Sequence, residues 1–389
     1  MLLNSLLNKT FRASSTYDLV ELSQLNQSDQ WALAGLASTE DIFGIFKNKR
    51  AGSDSLHKIA YKDVALLSYF LKEPSTLPSF IKNNFDDEIN ATLCKLVLEG
   101  ILEIEAGGEF VSGVDAQNVI CPVSIKAIEI PKSRITQLSE KAIQYGIGLH
   151  NVDGISLSTR LYCYNTMPSL SHQYDHLDAP EKIKDFLWKQ DFDLYEWAAR
   201  KWIQQSIQKE QHWLVWTKPA YQDIDLINKC TYKLYISPLI QTLPEIFVKS
   251  VKVLSETKCF SFKVGATVEG LLRPDKLVAY FLKYQDLKEA VILLNPQLPK
   301  YEPQGVPFTS QLDDTGILSW GLDPPKKDIN KNIESGSWRE RVTKKIALSI
   351  IRAKKEETDK SMILNHVRSL IALEDIDPET WTPKTNKWN

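Results

Sequence analysis

The chain has 389 residues, 43% of them hydrophobic and 25% charged, with a formal net charge of −2. That balance excludes a disordered polyelectrolyte and gives no electrostatic reason to bind nucleic acid or an anionic membrane. The length exceeds a typical domain of about 100 to 200 residues, so two domains are expected, 1–115 and 116–389, with one large α/β domain the alternative.

The start, Met1 to Lys9, has no positively charged segment ahead of a short apolar run, and no stretch reaches the ~18 apolar residues of a membrane span. Cys94, Cys121, Cys163, Cys230 and Cys259 never fall in Cys-x-x-Cys spacing. A reduced, cytoplasmic chain without disulfides or a zinc site is therefore expected.

Periodicity and caps predict helices over residues 18–25, 29–36, 61–71, 77–82 and 86–99, the last stopped by Gly100. Strands 101–105 and 109–111 flank the turn Ala106-Gly107-Gly108 as a hairpin. The helices over 61–71, 77–82 and 86–99 and the hairpin outline a winged helix. Its last helix carries Asp86, Asp87, Glu88 and Glu99 against Lys95, the wrong sign for phosphate contacts with DNA. Peptide binding by strand addition along the hairpin is one reading, and a module that only packs is the other.

Strands are predicted at 119–123 and 127–130, then a helix at 134–146. Residues 154–165 alternate and are rich in hydroxyls, a strand signal, and Arg160 within them is either a phosphate ligand or a solvated strand arginine. His172 and His176 are four apart, but Pro168 and Pro180 disfavour the helix that a metal pair needs, and no Glu follows His172. No metal is expected. A helix over 181–208 would carry Trp188, Tyr195, Trp197 and Trp202 on a buried face.

From residue 231 onward cations interrupt apolar strands. Lys233 lies in Tyr-Lys-Leu-Tyr-Ile and Lys263 in Phe-Ser-Phe-Lys-Val-Gly, and a helix over 239–255 joins the two strands as a crossover would. Arg273-Pro274-Asp275 precedes an apolar strand through Tyr280. Pro307-Phe308-Thr309, Gly321-Leu322-Asp323-Pro324 and Ser337-Trp338-Arg339-Glu340-Arg341 follow as an irregular edge suited to binding. Helices over 341–351 and 360–374 close the chain, and Lys344, Lys345, Arg352, Lys354 and Lys355 read as a solvated face.

Taken in order, Phe-x-Lys-Val, Arg-Pro-Asp before a strand, Pro-Phe-Thr, Gly-x-Asp-Pro and Ser-x-Arg resemble the HopA-type type III effector family. Its relatives include the HopA-like lyases of lanthipeptide and thioamitide biosynthesis. The resemblance spans about residues 229–353, roughly a third of the chain. It implies a lyase that eliminates phosphate from phosphoserine or phosphothreonine of a precursor peptide, leaving dehydroalanine or dehydrobutyrine, with a kinase as partner. The fold class expected is α+β, a mixed-sheet catalytic domain flanked by helices with an N-terminal helical, winged-helix-like domain.

Elimination needs a base on a weakly acidic Cα proton and fixed cations for a leaving dianion, with no metal or organic cofactor. Lys263 is the candidate base and Arg273 the phosphate clamp, with Asp275 orienting the arginine. Arg339 or Arg341 would be a second clamp, Lys233 lines the cleft, and Tyr280 or Tyr235 could donate a proton. The better-known phosphothreonine lyases pair a histidine acid with a lysine base. No histidine aligns near Lys263, which leaves His150, His172, His176 and His212 as open candidates. The alternative is a non-catalytic phosphopeptide-binding or effector-like partner of a kinase.

Overall fold

The structure, a computed structural model, describes residues 6–26, 41–49, 58–79, 81, 87–121, 132–169, 174–189, 192–205, 212–222, 229–298, 302–323, 337–356 and 359–384. Its contacts form two units. One is Met1–Ile130 with Ile329–Ser335 and Leu348–Asp375, and the other is Pro131–Asp328 with Gly336–Ala347 and Ile376–Asn389.

The first unit contains β1 (Thr10–Ala13), β2 (Tyr17–Glu21), β3 (Ile42–Asn48), β4 (Lys58–Tyr61), β5 (Ser75–Thr76), β6 (Leu102–Ala106) and β7 (Glu109–Val111). They form two antiparallel sheets, ordered β5-β1-β6-β7 and β2-β3-β4. Helices Lys62–Phe70 and Asp87–Leu98 lie where the sequence predicts them, and Gly100, at φ +73°, follows the second. The β6–β7 turn takes positive φ at both Gly107 and Gly108, which a side chain would resist. Residues 18–25 are not a helix. β2 pairs with β3, Val20 opposite Ile45, and only Leu22–Gln24 coils, as a 3₁₀ turn. The helix predicted over 29–36 lies outside the described residues.

The strand predicted over 119–123 is replaced, in its described part, by one helical turn, Gln117–Ile120, closed by Ile120 N–H donating to the Ala116 carbonyl at 3.1 Å. Burial of Ile120 favours that turn, and 122–130 lie outside the described residues. Phe11, Leu71, Leu93, Val97 and Ile104 make the core together with Leu370 from helix Lys360–Leu373.

The second unit is built on a seven-stranded sheet. Its strands are β8 (Ile203–Gln204), β9 (Trp213–Thr217), β10 (Thr231–Ile236), β11 (Ser261–Gly265), β12 (Leu277–Phe281), β13 (Ser310–Gln311) and β14 (Leu318–Asp323). The order is β13-β14-β10-β12-β11-β9-β8, and every described pairing is antiparallel. β10 and β11 therefore run in the same direction on either side of β12. Helix Leu243–Glu256 is the crossover between them, as predicted. The class is α+β, as expected from the sequence.

Strand alternation divides this sheet into two chemically different faces. Leu234, Ile236, Phe262, Val264, Ala279 and Phe281 belong to one core with Phe247 and Leu254 of the crossover helix and Leu287 of helix Tyr284–Leu294. The intervening residues, Lys233, Tyr235, Ser261, Lys263, Val278 and Tyr280, are thereby directed to the opposite face.

Two predicted elements of this unit are corrected. Residues 154–165 contain a helix, Gly154–Tyr162, rather than a strand. Asp153 caps it by accepting from the N–H groups of Ile155 and Ser156, each at 2.9 Å, and Leu157, Ser158 and Leu161 are buried at helical spacing. The long helix over 181–208 is two helices, Pro180–Trp188 and Phe192–Ala199, followed by β8 paired to β9. Trp188 and Trp202 are buried in the core, as the aromatic spacing implies. The helix over 134–146 is Arg134–Gly148, and the first helix of the tail is Trp338–Glu356. No helix among the described residues is long and apolar enough to cross a membrane.

Candidate active site

The polar face of the seven-stranded sheet begins with cross-strand neighbours. Lys233 on β10 lies opposite Tyr280 on β12 and opposite Gly321 on β14, and Lys263 on β11 lies opposite Val278 and Val215. Lys233 is buried and ion-paired to Asp323 at the end of β14. Burial opposes its charge, but the Asp323 carboxylate overrides this and holds the pKa well above the ordinary lysine value. Lys233 is thus a fixed cation.

Lys263 differs. Its side chain makes no hydrogen bond or ion pair among the described residues, and its ammonium lies 3.9 Å from the centroid of the Trp213 ring and 5.9 Å from that of Tyr280. Burial, then the positive charge of Lys233 and more weakly that of Arg273, push its pKa down to about 8 against the opposing pull of Asp275 and Asp323. An amine in that range is partly unprotonated near neutrality.

Asp275 is the hub of a second group. Both its oxygens are held by Arg273, Nε to Oδ1 at 2.8 Å and Nη2 to Oδ2 at 2.9 Å, and Oδ2 also accepts from Arg339 Nη1 at 2.9 Å and from the Tyr162 hydroxyl at 3.3 Å. Burial would raise its pKa, but Arg339 first and then Arg273 hold it well below the usual carboxylate range. Arg273 stays partly exposed, its guanidinium 5.3 Å from the Tyr162 ring and 5.5 Å from that of Trp213. Trp213 therefore has Arg273 and Lys263 around one indole.

Behind this group the Arg273-Pro274-Asp275 turn is fixed by buried hydrogen bonds. Ser237 Oγ donates to the Pro274 carbonyl at 2.6 Å and accepts from Gly305 N–H at 3.1 Å. Fully buried Lys276 donates to the Pro238 carbonyl at 2.8 Å and to Gln304 Oε1, and Gln304 in turn donates to the Leu272 carbonyl at 2.9 Å. Burial pushes Lys276 down to about 7 despite the neighbouring Asp275.

No family model matches the chain, and no curated protein matches it. Among solved structures it is similar to the effector protein from Pseudomonas syringae pv. tomato strain DC3000, at 12% identity and a TM-score of 0.39, over 64% of this chain and 99% of that one. The effector protein from Pseudomonas syringae pv. syringae strain 61 gives 12% and 0.38, over 64% and 98%. The type III effector/phosphothreonine lyase OspF from Shigella flexneri gives 13% and 0.26, over 32% and 75%. Likenesses this distant carry nothing about chemistry.

The structure brings Lys233, Tyr235, Lys263, Arg273, Asp275, Tyr280 and Arg339 into one neighbourhood. Arg339 is fully buried, with Nε on the Pro307 carbonyl at 3.1 Å and Nη2 on the Tyr162 carbonyl at 2.8 Å. It has no surface to offer a phosphate and instead holds Asp275. Arg341 lies with its guanidinium 5.9 Å from the Trp338 ring, and Arg160 is exposed on helix Gly154–Tyr162.

Tyr235 and Tyr280 both have pKa values raised, by burial against the opposing charge of Lys233, so both phenols keep their protons. Of the histidines, His150, His176 and His212 are exposed, no interaction among the described residues joins them to Lys263, and His172 lies outside those residues. Sequence reasoning missed Tyr162 and Trp213. For Trp213 a signal existed, since an aromatic one strand away from an apolar-flanked lysine is a natural cover for its charge.

Proposed function

We propose that the chain is a lyase that eliminates phosphate from phosphorylated serine or threonine in a peptide. The observation that carries this reading is Lys263, a lysine without an ion pair among the described residues, pushed down to about 8, beside two cations held by carboxylates. The Lys263 amine takes the Cα proton. The C–H electron pair becomes the second bond of Cα=Cβ, the Cβ–O bond breaks, and inorganic phosphate leaves with the Cβ–O pair while Lys263 is left protonated. Arg273, presented by Asp275, and Lys233 offset the charge developing on the leaving phosphate. Tyr280 supplies a neutral phenol able to protonate it.

We extend the proposal to a ribosomal precursor peptide phosphorylated by a partner kinase, supported by the resemblance of the ordered Lys263, Arg273 and Arg339 patches to the HopA-like lyases. The test is a mass spectrum of a Ser/Thr phosphopeptide after incubation with the protein. Loss of the whole phosphoric acid is expected. Phosphate replaced by hydroxyl would mean hydrolysis, and an unchanged mass with a measurable affinity would mean a binding protein. Either would sink the lyase reading.

A further inference from the structure

The register of β9 on β11 sets Val215 opposite Lys263 and Trp213 opposite Gly265. Trp213, Val215, Lys263 and Gly265 therefore share a face. Gly265 can carry no side chain, because a Cβ there would come within 2.5 Å of the Gly270 carbonyl carbon where helix Val268–Leu272 closes on the strand. The indole thus faces a strand position with no side chain and lies against the lysine two residues away, its centroid 3.9 Å from Lys263 Nζ and 5.5 Å from Arg273 Cζ.

We propose that Trp213 is a positioning residue for Lys263, its ring face fixing the place of the amine on the sheet and favouring the ammonium form against the burial and cations around it. This rests on the reading of Lys263 as the base. The ring quadrupole attracts a cation and not a neutral amine, so the contact acts on one protonation state only. The other groups acting on Lys263 are Lys233 from β10, Tyr280 from β12, Asp323 from β14, and Arg273 and Asp275 from the turn after helix Val268–Leu272. Without the indole, burial and the two cations act against a smaller opposing pull, so the amine loses its proton at lower pH.

The test reads the amine directly and needs no turnover. The rate at which an acylating reagent modifies Lys263 is followed against pH by peptide mass spectrometry in wild type, Trp213→Phe and Trp213→Leu. Phe should keep the wild-type midpoint, and Leu should lower it by about half a pH unit. A Leu midpoint that is unchanged or raised, or a Phe variant that behaves like Leu, overturns the proposal.

If Trp213→Leu does not fold, protein labelled with 5-fluorotryptophan gives a second measurement. The Trp213 fluorine resonance, identified by its absence in Trp213→Phe, should shift with the Lys263 midpoint and stay flat in Lys263→Met. A resonance that is flat in wild type overturns the proposal too. Midpoints that move as expected in a protein that leaves phosphopeptides unchanged would support the Trp213–Lys263 coupling and sink the lyase reading alone.

Discussion

Each unit contains a cluster of buried charges, and the two are built to different ends. In the first unit Glu99 accepts from Arg352 at 3.2 Å, Lys58 donates to the Glu99 backbone carbonyl, and Lys95 pairs with Glu374 at 2.5 Å. Burial would raise the Glu99 pKa, but Arg352, Lys58 and Lys95 hold it below the usual value, and burial with Arg352 pushes His366 down to about 4. Cations and carboxylates there answer one another. In the second unit Asp275 takes Arg273 and Arg339, Asp323 takes Lys233, and Lys263 is left with aromatic faces alone. Fully buried Lys276 also lacks an ion pair, but its ammonium donates to the Pro238 carbonyl and to Gln304. Buried charge by itself therefore marks structure, and a cation left with neither a carboxylate nor a hydrogen-bond acceptor marks chemistry.

The sharpest way to break this comparison is Lys263→Met. Loss of a general base lowers the elimination rate by ~10² to 10⁴. The same change removes a half-buried amine that has no counter-ion, so the unfolding midpoint in urea should hold or rise. A variant that keeps its rate would move the base elsewhere, and one that loses both rate and stability would make Lys263 a structural cation like those of the first unit.

Next in size are the paired clusters themselves. Breaking a buried pair from one side typically destabilises by ~3 to 5 kcal/mol, so Arg339→Met should lower stability on that scale in urea titrations, and Glu99→Gln, whose pair with Arg352 is part-buried, should lower it by less. They should part company in catalysis. Arg339→Met loosens Asp275 and through it Arg273, and phosphopeptide turnover should fall, whereas Glu99→Gln leaves turnover per folded molecule unchanged. Equal losses of turnover in both would erase the distinction drawn between the clusters.

The pH dependence separates the units more gently. His366 in the folded chain titrates near 4 against an ordinary 6.5, so the unfolded chain binds more protons between those values and stability falls as pH drops through that window. Lys263 and Lys276 titrate near 8 and 7 against an ordinary 10.5. The unfolded chain again holds more protons between those values, so their contribution to stability rises with pH from about 7 to about 10.5. His366→Gln should flatten the acid limb of a plot of urea midpoint against pH, and Lys263→Met part of the alkaline limb. Turnover should climb through about pH 8 as Lys263 loses its proton.

Legibility followed the same division. β10, β11 and β12 were readable because apolar alternation with an odd residue out is what a half-buried strand looks like, and that odd residue was Lys233, Lys263 or Tyr280. The Arg273–Asp275 pair was readable because two residues apart across a proline they can only meet locally. Helix Gly154–Tyr162 was misread since its hydroxyls mimic strand alternation, although Asp153 ahead of Gly-Ile-Ser was a cap in plain sight. Tyr162 was lost with that helix. Arg339 was placed in the right cluster and given the wrong task, because full burial is decided by tertiary packing and leaves no mark in a Ser-Trp-Arg string.

The smallest effect expected is at Arg160. A phosphate ligand must reach the leaving group, yet Arg160 lies exposed on helix Gly154–Tyr162, and among the described residues no hydrogen bond or ion pair ties it to Asp275, Arg273 or Lys263. Tyr162, two positions on, is about 200° around the helix and is the residue that meets Asp275. Exposed substitutions away from buried networks usually change stability by less than about 0.5 kcal/mol. Arg160→Ala should therefore leave stability within that range and kcat/KM for a phosphopeptide within about twofold, measured at several salt concentrations. A loss of tenfold or more that shrinks as salt rises would make Arg160 a long-range attractor of the phosphopeptide, and the boundary of the cationic face would then have to be drawn to include that helix.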